Sequence, residues 1–180
     1  MSQHFIAKDQ LDCEHTTTST TITKLICYSN DGYDTVIQEF RLLVPQINIP
    51  RMRAAASNKD ISHAVEAASS PSGFVLFAEY NHAGWMRHFV TEGKTLQRSH
   101  RFTFGNPLYA LPVLQNDIQA ALHIPLDCCF IEELEAKRTK MIVTLPTTLL
   151  EGTDNDGVKQ ALADLESRLL TLVQRLMPQA

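Results

Sequence analysis

The chain has 180 residues and a mass of 20.2 kDa, and its 44% hydrophobic and 20% charged residues are typical of a folded protein, not a disordered one. Its 16 basic and 20 acidic side chains give a formal net charge of −4, so no overall positive field favours binding to nucleic acid. A chain of this length accommodates one domain.

The first 20 residues are expected to form a flexible lead-in, because they end in the polar, threonine-rich run 14–20. The apolar patch 5–7 within them is too short for a signal peptide, which needs about 7–15 apolar residues. No window of the sequence reaches the roughly 20 apolar residues that cross a bilayer. We therefore expect a cytoplasmic protein with no membrane partner and no nucleic-acid partner.

A strand and a helix open the folded part of the chain. In residues 21–28, polar and apolar side chains alternate and many are β-branched, which predicts a strand. From Tyr33 onwards, apolar residues recur at helical spacing until Pro45 ends the pattern.

The segment 45–72 is interpreted as an insertion that packs at the edge of the domain. Prolines bracket it, and its spacing predicts only a short helix at 61–68. Its basic residues Arg51 and Arg53 either line the mouth of a site or belong to a solvated loop.

Two strand–helix units follow this insertion. The apolar run 73–80 predicts a well-buried strand, and the spacing at 85–90 predicts a helix that Gly93 terminates. Residues 98–104 predict another strand. Pro112 suits the first turn of a helix that extends to about His123.

A hairpin and a long helix complete the chain. The strands predicted at 126–133 and 139–145 are separated by few residues, which favours a hairpin. After a polar break, residues 158–176 form one apolar stripe on a helix. Either the sheet of this domain or a second copy must cover that stripe, and we favour the sheet. The second possibility is a homodimer.

The four cysteines, Cys13, Cys27, Cys128 and Cys129, show no C-x-x-C spacing, so the sequence predicts neither a disulfide framework nor a zinc site. Successive side chains of a strand point to opposite faces, so the neighbours Cys128 and Cys129 are expected on different faces. We interpret these residues as small buried hydrophobes.

A succession of short motifs runs through the middle of the chain at fixed spacing. The motifs are Gly73-Phe74-x-x-Phe77, Asn81-His82-Ala83, Phe104-Gly105-Asn106-Pro107, Pro112-x-Leu114-Gln115, Ala120-Ala121-Leu122 and Pro125-Leu126. This succession resembles the domain-of-unknown-function family numbered 302 over about residues 21–150, interrupted by the insertion. Residues 151–180 are expected to be a C-terminal helical extension outside that core.

The resemblance implies an α+β fold in which a single antiparallel or mixed β-sheet carries helices on one face, akin to the TATA-binding-protein-like class. It implies no activity. This chain has Ala110-Leu111 where the family usually has Gly-Thr, which removes a candidate helix cap and some backbone freedom. The helix after His82 is also bulkier, so any pocket beside it is expected to differ.

Three residues are candidates for acid–base catalysis. His82 follows a buried strand and matches the histidine of the family, and an imidazole there moves a proton near neutral pH or caps the next helix. Asn106 holds a substrate oxygen or shapes the turn before Pro107. Arg98 holds a negative charge of the substrate or neutralises a glutamate at 132–135.

The candidate ligand-binding residues are aromatic or basic and flank the same loops. They are Tyr80, Trp85, His100, Arg101, Phe104 and Tyr109. Alternation along the strand places His100 and Phe104 on one face and Arg101 on the other. Such a cationic and aromatic surface suits an anionic or aromatic small molecule. Core packing and a solvated edge are the alternatives.

The sequence contains no P-loop, G-x-G-x-x-G, H-E-x-x-H or G-x-S-x-G motif, and His82 and His88 lie on different faces of a helix. We therefore expect no metal and no cofactor. The leading hypothesis is a small-molecule-binding protein with cofactor-independent acid–base chemistry of isomerase, dehydratase, cyclase or hydrolase type. Its crevice would lie between His82, the helix at Trp85 and the turn at 104–107. The alternative is a non-catalytic, self-associating interaction module.

Overall fold

The computed structural model of the chain describes residues 13–14, 19–68, 72–91, 94–150 and 153–178. The strands are β1 (Lys24–Ser29), β2 (Val75–Asn81), β3 (Ser99–Gly105), β4 (Leu126–Glu133) and β5 (Arg138–Thr144). The α-helices of these residues are α1 (Tyr33–Leu43), α2 (Ile49–Arg53), α3 (Asn58–Ala68), α4 (His82–Met86), α5 (Pro107–Asn116) and α6 (Asp156–Leu176). Short 3₁₀ helices occupy Arg87–Phe89, Ile118–Leu122 and Pro146–Thr148.

The strands form one antiparallel sheet in the order β1-β5-β4-β3-β2. Each predicted strand overlaps an observed one, because half-buried strands show the alternation that the sequence displays. The predicted α+β class with a C-terminal helix is confirmed.

Phe40 of α1 lies at the centre of the hydrophobic core. Its fully buried ring packs against three aromatic rings on the helix-facing side of the sheet, with centroid distances of 4.6 Å to Phe102, 5.5 Å to Phe104 and 5.3 Å to Phe130. Tilted and edge-on ring pairs at such distances add to the stabilisation that burial provides. This aromatic cluster therefore fixes α1 on the sheet.

Helix α6 packs its apolar stripe onto the same core. Leu165, Leu169, Leu172 and Leu176 are buried in one cluster with residues of the sheet and α1. The sheet of the same chain covers the stripe, as favoured above. In the described part of the chain, no helix is both long and apolar enough to cross a membrane.

The opposite face of the sheet is more exposed. One row of neighbouring residues crosses all five strands on this face: Ile26, Ile142, Cys129, Arg101 and Tyr80. Each of these residues is exposed or partly exposed, whereas the alternate residues of the central strands are buried. We call this surface the open face.

Residues 45–68 lie at the β2 edge of the sheet. The backbone N–H of Ile47 donates to the carbonyl of Leu76, and the N–H of Leu76 donates to the carbonyl of Pro45. Ile47, Val65 and Val75 then form a small separate core between this segment and β2. The segment therefore shields the outer edge of β2.

The predicted helix at 112–123 is wrong in its boundaries. Helix α5 begins at Pro107 because the Asn106 side chain caps it, and proline is favoured at the first helical position. Pro112 consequently lies inside α5. Asp117 then caps a separate 3₁₀ helix through the N–H of Gln119.

The helix predicted at 85–90 begins earlier than expected and changes geometry. Asn81 accepts a hydrogen bond from the N–H of Gly84 and so starts α4 at His82. The chain continues as a 3₁₀ helix from Arg87. Gly93, predicted to end this helix, lies outside the described residues.

Candidate functional site

The structure does not bring His82 and Asn106 together. In the antiparallel pair of β2 and β3, Asn81 pairs with His100 and Val75 pairs with Gly105. His82 therefore follows one end of the pair and Asn106 follows the other, about 20 Å apart for strands that rise about 3.3 Å per residue. The single crevice expected between them does not form.

His82 lies on the outer helix α4 and is partly buried. Its ring is 6.4 Å from that of Trp85, whose ring in turn is 6.2 Å from that of Phe89. Trp85 is 56% exposed and Phe89 is 81% exposed. These rings therefore stack at the protein surface, and it is Asn81, one residue before His82, that caps the helix.

Asn106 is buried and both ends of its amide are engaged. Its Nδ2 donates to the carbonyl of Gly73 over 2.7 Å, and its Oδ1 accepts from the N–H of Leu108 over 2.8 Å. The side chain thus joins the start of α5 to the loop before β2. This is the turn role that the sequence left open as an alternative to ligand binding.

Arg98 is held between two carboxylates. It donates to Glu132 from Nε and Nη2 over 2.7 and 2.9 Å, and to Asp34 from Nη1 over 2.9 Å. These hydrogen bonds raise the pKa of Arg98, and the hydrogen bond from Arg98 lowers the pKa of Glu132. The guanidinium also lies 4.6 Å from the ring centroid of Tyr33. Arg98 therefore neutralises Glu132, the alternative role considered above.

The remaining ligand candidates fall in separate regions. Phe104 belongs to the aromatic core, and Tyr109 packs edge-on against Phe74. Arg101 pairs with Asp127 over 2.6 Å on the open face, with its guanidinium 5.8 Å from the ring centroid of Tyr80. They do not surround a common space.

His100 and Tyr33 are the buried members of a polar array that the sequence did not predict. The Nδ1 of His100 is 2.8 Å from the hydroxyl of Tyr33, and its Nε2 is 3.4 Å from a carboxylate oxygen of Glu79. The guanidinium of Arg41 forms a two-pronged hydrogen bond with the same carboxylate. We call Arg41, Glu79, His100 and Tyr33 the polar array.

The protonation of His100 and Tyr33 follows from the burial of these two side chains. Burial lowers the pKa of His100, against the opposing effect of Glu79, and burial raises the pKa of Tyr33. A neutral His100 accepts a hydrogen bond from the Tyr33 hydroxyl at Nδ1 and turns its Nε2–H toward Glu79. The one available sequence signal was that His100 shares a strand face with Phe102 and Phe104, which buries it and demands polar partners.

The stability of the protein is expected to fall as the pH drops below about 6.5, the ordinary pKa of an unfolded histidine. Because burial lowers the pKa of His100, the unfolded chain takes up a proton there before the folded chain does. The free energy of unfolding therefore decreases with falling pH until the folded pKa is passed. Urea unfolding of the wild type and His100→Gln at about pH 8 and about pH 5 measures this contribution. An NMR titration midpoint of the His100 ring at or above the ordinary value would contradict the prediction.

A cavity of about 180 Å³ lies between α5, α6 and the adjacent ends of β3 and β4. We call it the α5–α6 cavity. Its walls include Phe77, Gly105, Ala110, Leu114, Pro125 and Leu165. None of the described residues that line it is charged, and the amide of Asn106 beside it is already engaged. The space is therefore apolar.

The cavity wall coincides with the motifs that carried the family resemblance. Gly105 and Pro107 come from the Phe-Gly-Asn-Pro motif, and Pro125 and Leu126 from the Pro-Leu motif. A Cβ atom on Gly105 would lie 3.4 Å from the Cβ of Pro125 and 3.6 Å from the ring of Phe77. The two motifs and β2 therefore approach each other closely at this cavity.

In the described ranges, no three histidine, cysteine, aspartate or glutamate side chains converge where they could hold a metal ion. Cys128 is buried as expected, whereas Cys27 and Cys129 are partly exposed and Cys13 is exposed. Burial raises the pKa of the Cys27, Cys128 and Cys129 thiols. These thiols are therefore poor nucleophiles at neutral pH.

Comparison with known proteins gives one family and a fold neighbour. A family model described as "Domain of unknown function DUF302" matches residues 51–176. A solved structure, described as an uncharacterized conserved protein DUF302 from Bacillus stearothermophilus, shares 16% sequence identity at a TM-score of 0.59. The alignment covers 85% of this chain and 97% of that chain. No curated protein matches the sequence.

The family match includes α6, whereas the resemblance seen in the sequence stopped at about residue 150. The burial of α6 in the common core accounts for this difference, because a helix that closes the core is part of the domain.

Proposed function

Because the chain belongs to the family described as domain of unknown function DUF302, and the motifs that signalled this family wall an apolar cavity, we propose that it binds a small apolar molecule in the α5–α6 cavity. The observation that carries the proposal is this coincidence of motif and cavity. Gly105 of one motif lies close to Pro125 of another, and the walls of the α5–α6 cavity that they form are apolar.

The size of the cavity supports a particular class of ligand. About 180 Å³ exceeds the roughly 150 Å³ of an engineered apolar protein cavity that binds benzene. A single aromatic ring or a short branched aliphatic chain therefore fits. Of the two ligand types that the sequence suggested, aromatic and anionic, the uncharged walls favour the aromatic one.

The lining also determines what kind of activity is proposed. No titratable side chain is among the described residues that line the cavity. His82 and the polar array lie at the other end of β2 and β3. The cavity therefore supports ligand binding rather than acid–base catalysis.

Toluene is expected to bind in this cavity and to shift the NMR signals of the Leu114 and Leu165 methyl groups in a saturable manner. Filling the space with Ala110→Leu should weaken this binding by at least about tenfold, because the added methyl groups occupy the ligand's volume. The titration is followed in methyl correlation spectra, and circular dichroism checks that the variant folds.

Ala121→Leu is the matched control, since it adds the same atoms at an exposed position in the 3₁₀ helix after α5. It should bind toluene as the wild type does. Absence of saturable shifts at Leu114 and Leu165, or equal affinity in the Ala110→Leu variant, would refute the proposal.

A further inference from the structure

The α5–α6 cavity lies where three hydrophobic clusters of the described residues meet. In its wall, Leu126 and Leu165 belong to the main core, and Leu114 packs against a second cluster at the contact of α5 with α6. Met52 and Phe77 pack against the small separate core at the β2 edge. The cavity is thus the space left between three separate clusters.

The wall of the cavity is buried at its centre and partly exposed on two sides. Ala110 and Leu165 are buried, whereas Met52 and Phe77 are partly exposed on one side and Leu114 on the other. Leu114 is fixed by the contact of α5 with α6, and Phe77 belongs to β2, which pairs with β3. Of these three partly exposed residues, only Met52 lies on a short outer helix.

Helix α2, which carries Met52, has five residues, and none of them is buried. Its backbone hydrogen bonds lie within the segment 48–55. Arg51 and Arg53 are exposed on either side of Met52, so they belong to the solvated surface and not to the cavity wall. Ile49 and Met52 therefore attach α2 to the domain through their side chains, which pack against the small core.

We propose that Met52 is the adjustable wall of the α5–α6 cavity and that the ligand is an aromatic ring with a short unbranched alkyl chain. This inference rests on the proposed function, since it keeps the same cavity and the same aromatic ring. The ring lies against the buried wall at Ala110 and Leu165, and the alkyl chain extends past Met52 toward the small core at β2.

The chemistry of methionine suits this role. Its unbranched side chain has three rotatable bonds, so it turns aside without a movement of the helix that carries it. The channel that it then leaves has the width of an unbranched chain, because the methionine side chain is itself unbranched. The sulfur atom also makes favourable contacts with an aromatic ring. A ring with a straight alkyl chain therefore fits this space better than a ring with a branched one.

The wild type is expected to bind ethylbenzene and n-propylbenzene more tightly than toluene, by about fourfold for each added methylene group. Isopropylbenzene has the same atoms as n-propylbenzene but a chain one carbon shorter, so it should bind at least about fourfold more weakly. n-Propylbenzene should shift the Met52 methyl signal more strongly than toluene does. Titrations followed in methyl correlation spectra measure the dissociation constants and these shifts.

Met52→Ile should leave toluene binding within about twofold of the wild type and weaken n-propylbenzene binding at least about tenfold. Isoleucine has a similar size, but its branched Cβ restricts the first side-chain torsion, so it does not turn aside. Met86→Ile is the matched control, because Met86 lies on α4 at the surface and outside the cavity wall. It should bind both ligands as the wild type does.

Met52→Ala gives a second test if Met52→Ile does not fold. It removes the adjustable wall, so it should bind n-propylbenzene and isopropylbenzene with equal affinity. Circular dichroism checks the fold of each variant.

The outcomes separate this inference from the proposed function. If toluene causes no saturable shift at Leu114 and Leu165, the proposed function and this inference are both refuted. If toluene binds there but Met52→Ile leaves the ratio of the two affinities unchanged, only the role of Met52 is overturned. The same holds if the wild type binds isopropylbenzene as tightly as n-propylbenzene, or if Met52→Ala keeps the preference for the straight chain.

Discussion

Phe40→Ala is expected to lower the free energy of unfolding by about 3–5 kcal/mol, the range found for truncation of a buried phenylalanine. Phe40 is fully buried, and its ring contacts Phe102, Phe104 and Phe130. These neighbours belong to strands with fixed pairing, so the surrounding structure cannot collapse into the space that the ring leaves. Denaturant unfolding followed by circular dichroism measures the loss.

Phe89→Ala supplies the control, because it removes the same atoms from a side chain that is 81% exposed. Its effect should stay within about 0.5 kcal/mol of zero, as for most surface substitutions. If the two variants lost similar stability, the central position assigned to Phe40 would be incorrect.

Asn106→Ala is expected to destabilise the protein by about 2–4 kcal/mol. Loss of a helix N-cap costs about 1 kcal/mol, and a carbonyl left without its partner in a partly buried place costs about 1–3 kcal/mol. Both losses occur here, because the Asn106 amide caps α5 and donates to the carbonyl of Gly73. The free energy of unfolding from denaturant titration is the measured quantity.

Asn155→Ala separates the two contributions. Asn155 caps α6 through the N–H groups of Gly157 and Val158 at an exposed position, so its loss should cost only about 1 kcal/mol. Asn106→Asp should cost at least as much as the alanine variant, since a carboxylate oxygen then faces the Gly73 carbonyl in a buried place. Equal costs for Asn106→Ala and Asn155→Ala would show that the bond to Gly73 contributes nothing.

The strands and α6 could be predicted from the sequence because their burial follows a simple period. Buried and partly exposed residues alternate along β4 and β5, and apolar residues recur at helical spacing through the 21 residues of α6. The start of α5 could not be predicted in the same way. It depends on one hydrogen bond that the Asn106 side chain accepts from the N–H of Leu108, while Pro112 offers an equally good start by local preference alone.

The candidate site was harder to predict because its residues meet through strand pairing and not through proximity along the chain. His82 and Asn106 flank consecutive strands, yet antiparallel pairing places them at opposite ends. Tyr33 lies 67 positions before its partner His100. The polar array therefore becomes visible only once β3 is known to lie beneath α1.

The polar array has a consequence for how reliably the sheet assembles. A one-residue slip of β3 against its neighbours exchanges the two faces of the strand. His100 would then leave Tyr33 and Glu79, and the charged Arg101 would enter the aromatic cluster around Phe40, far from Asp127. Burying an unpaired guanidinium there is prohibitively unfavourable. The alternation of His100 and Arg101 thus excludes the nearest misfolded pairing as well as stabilising the native one.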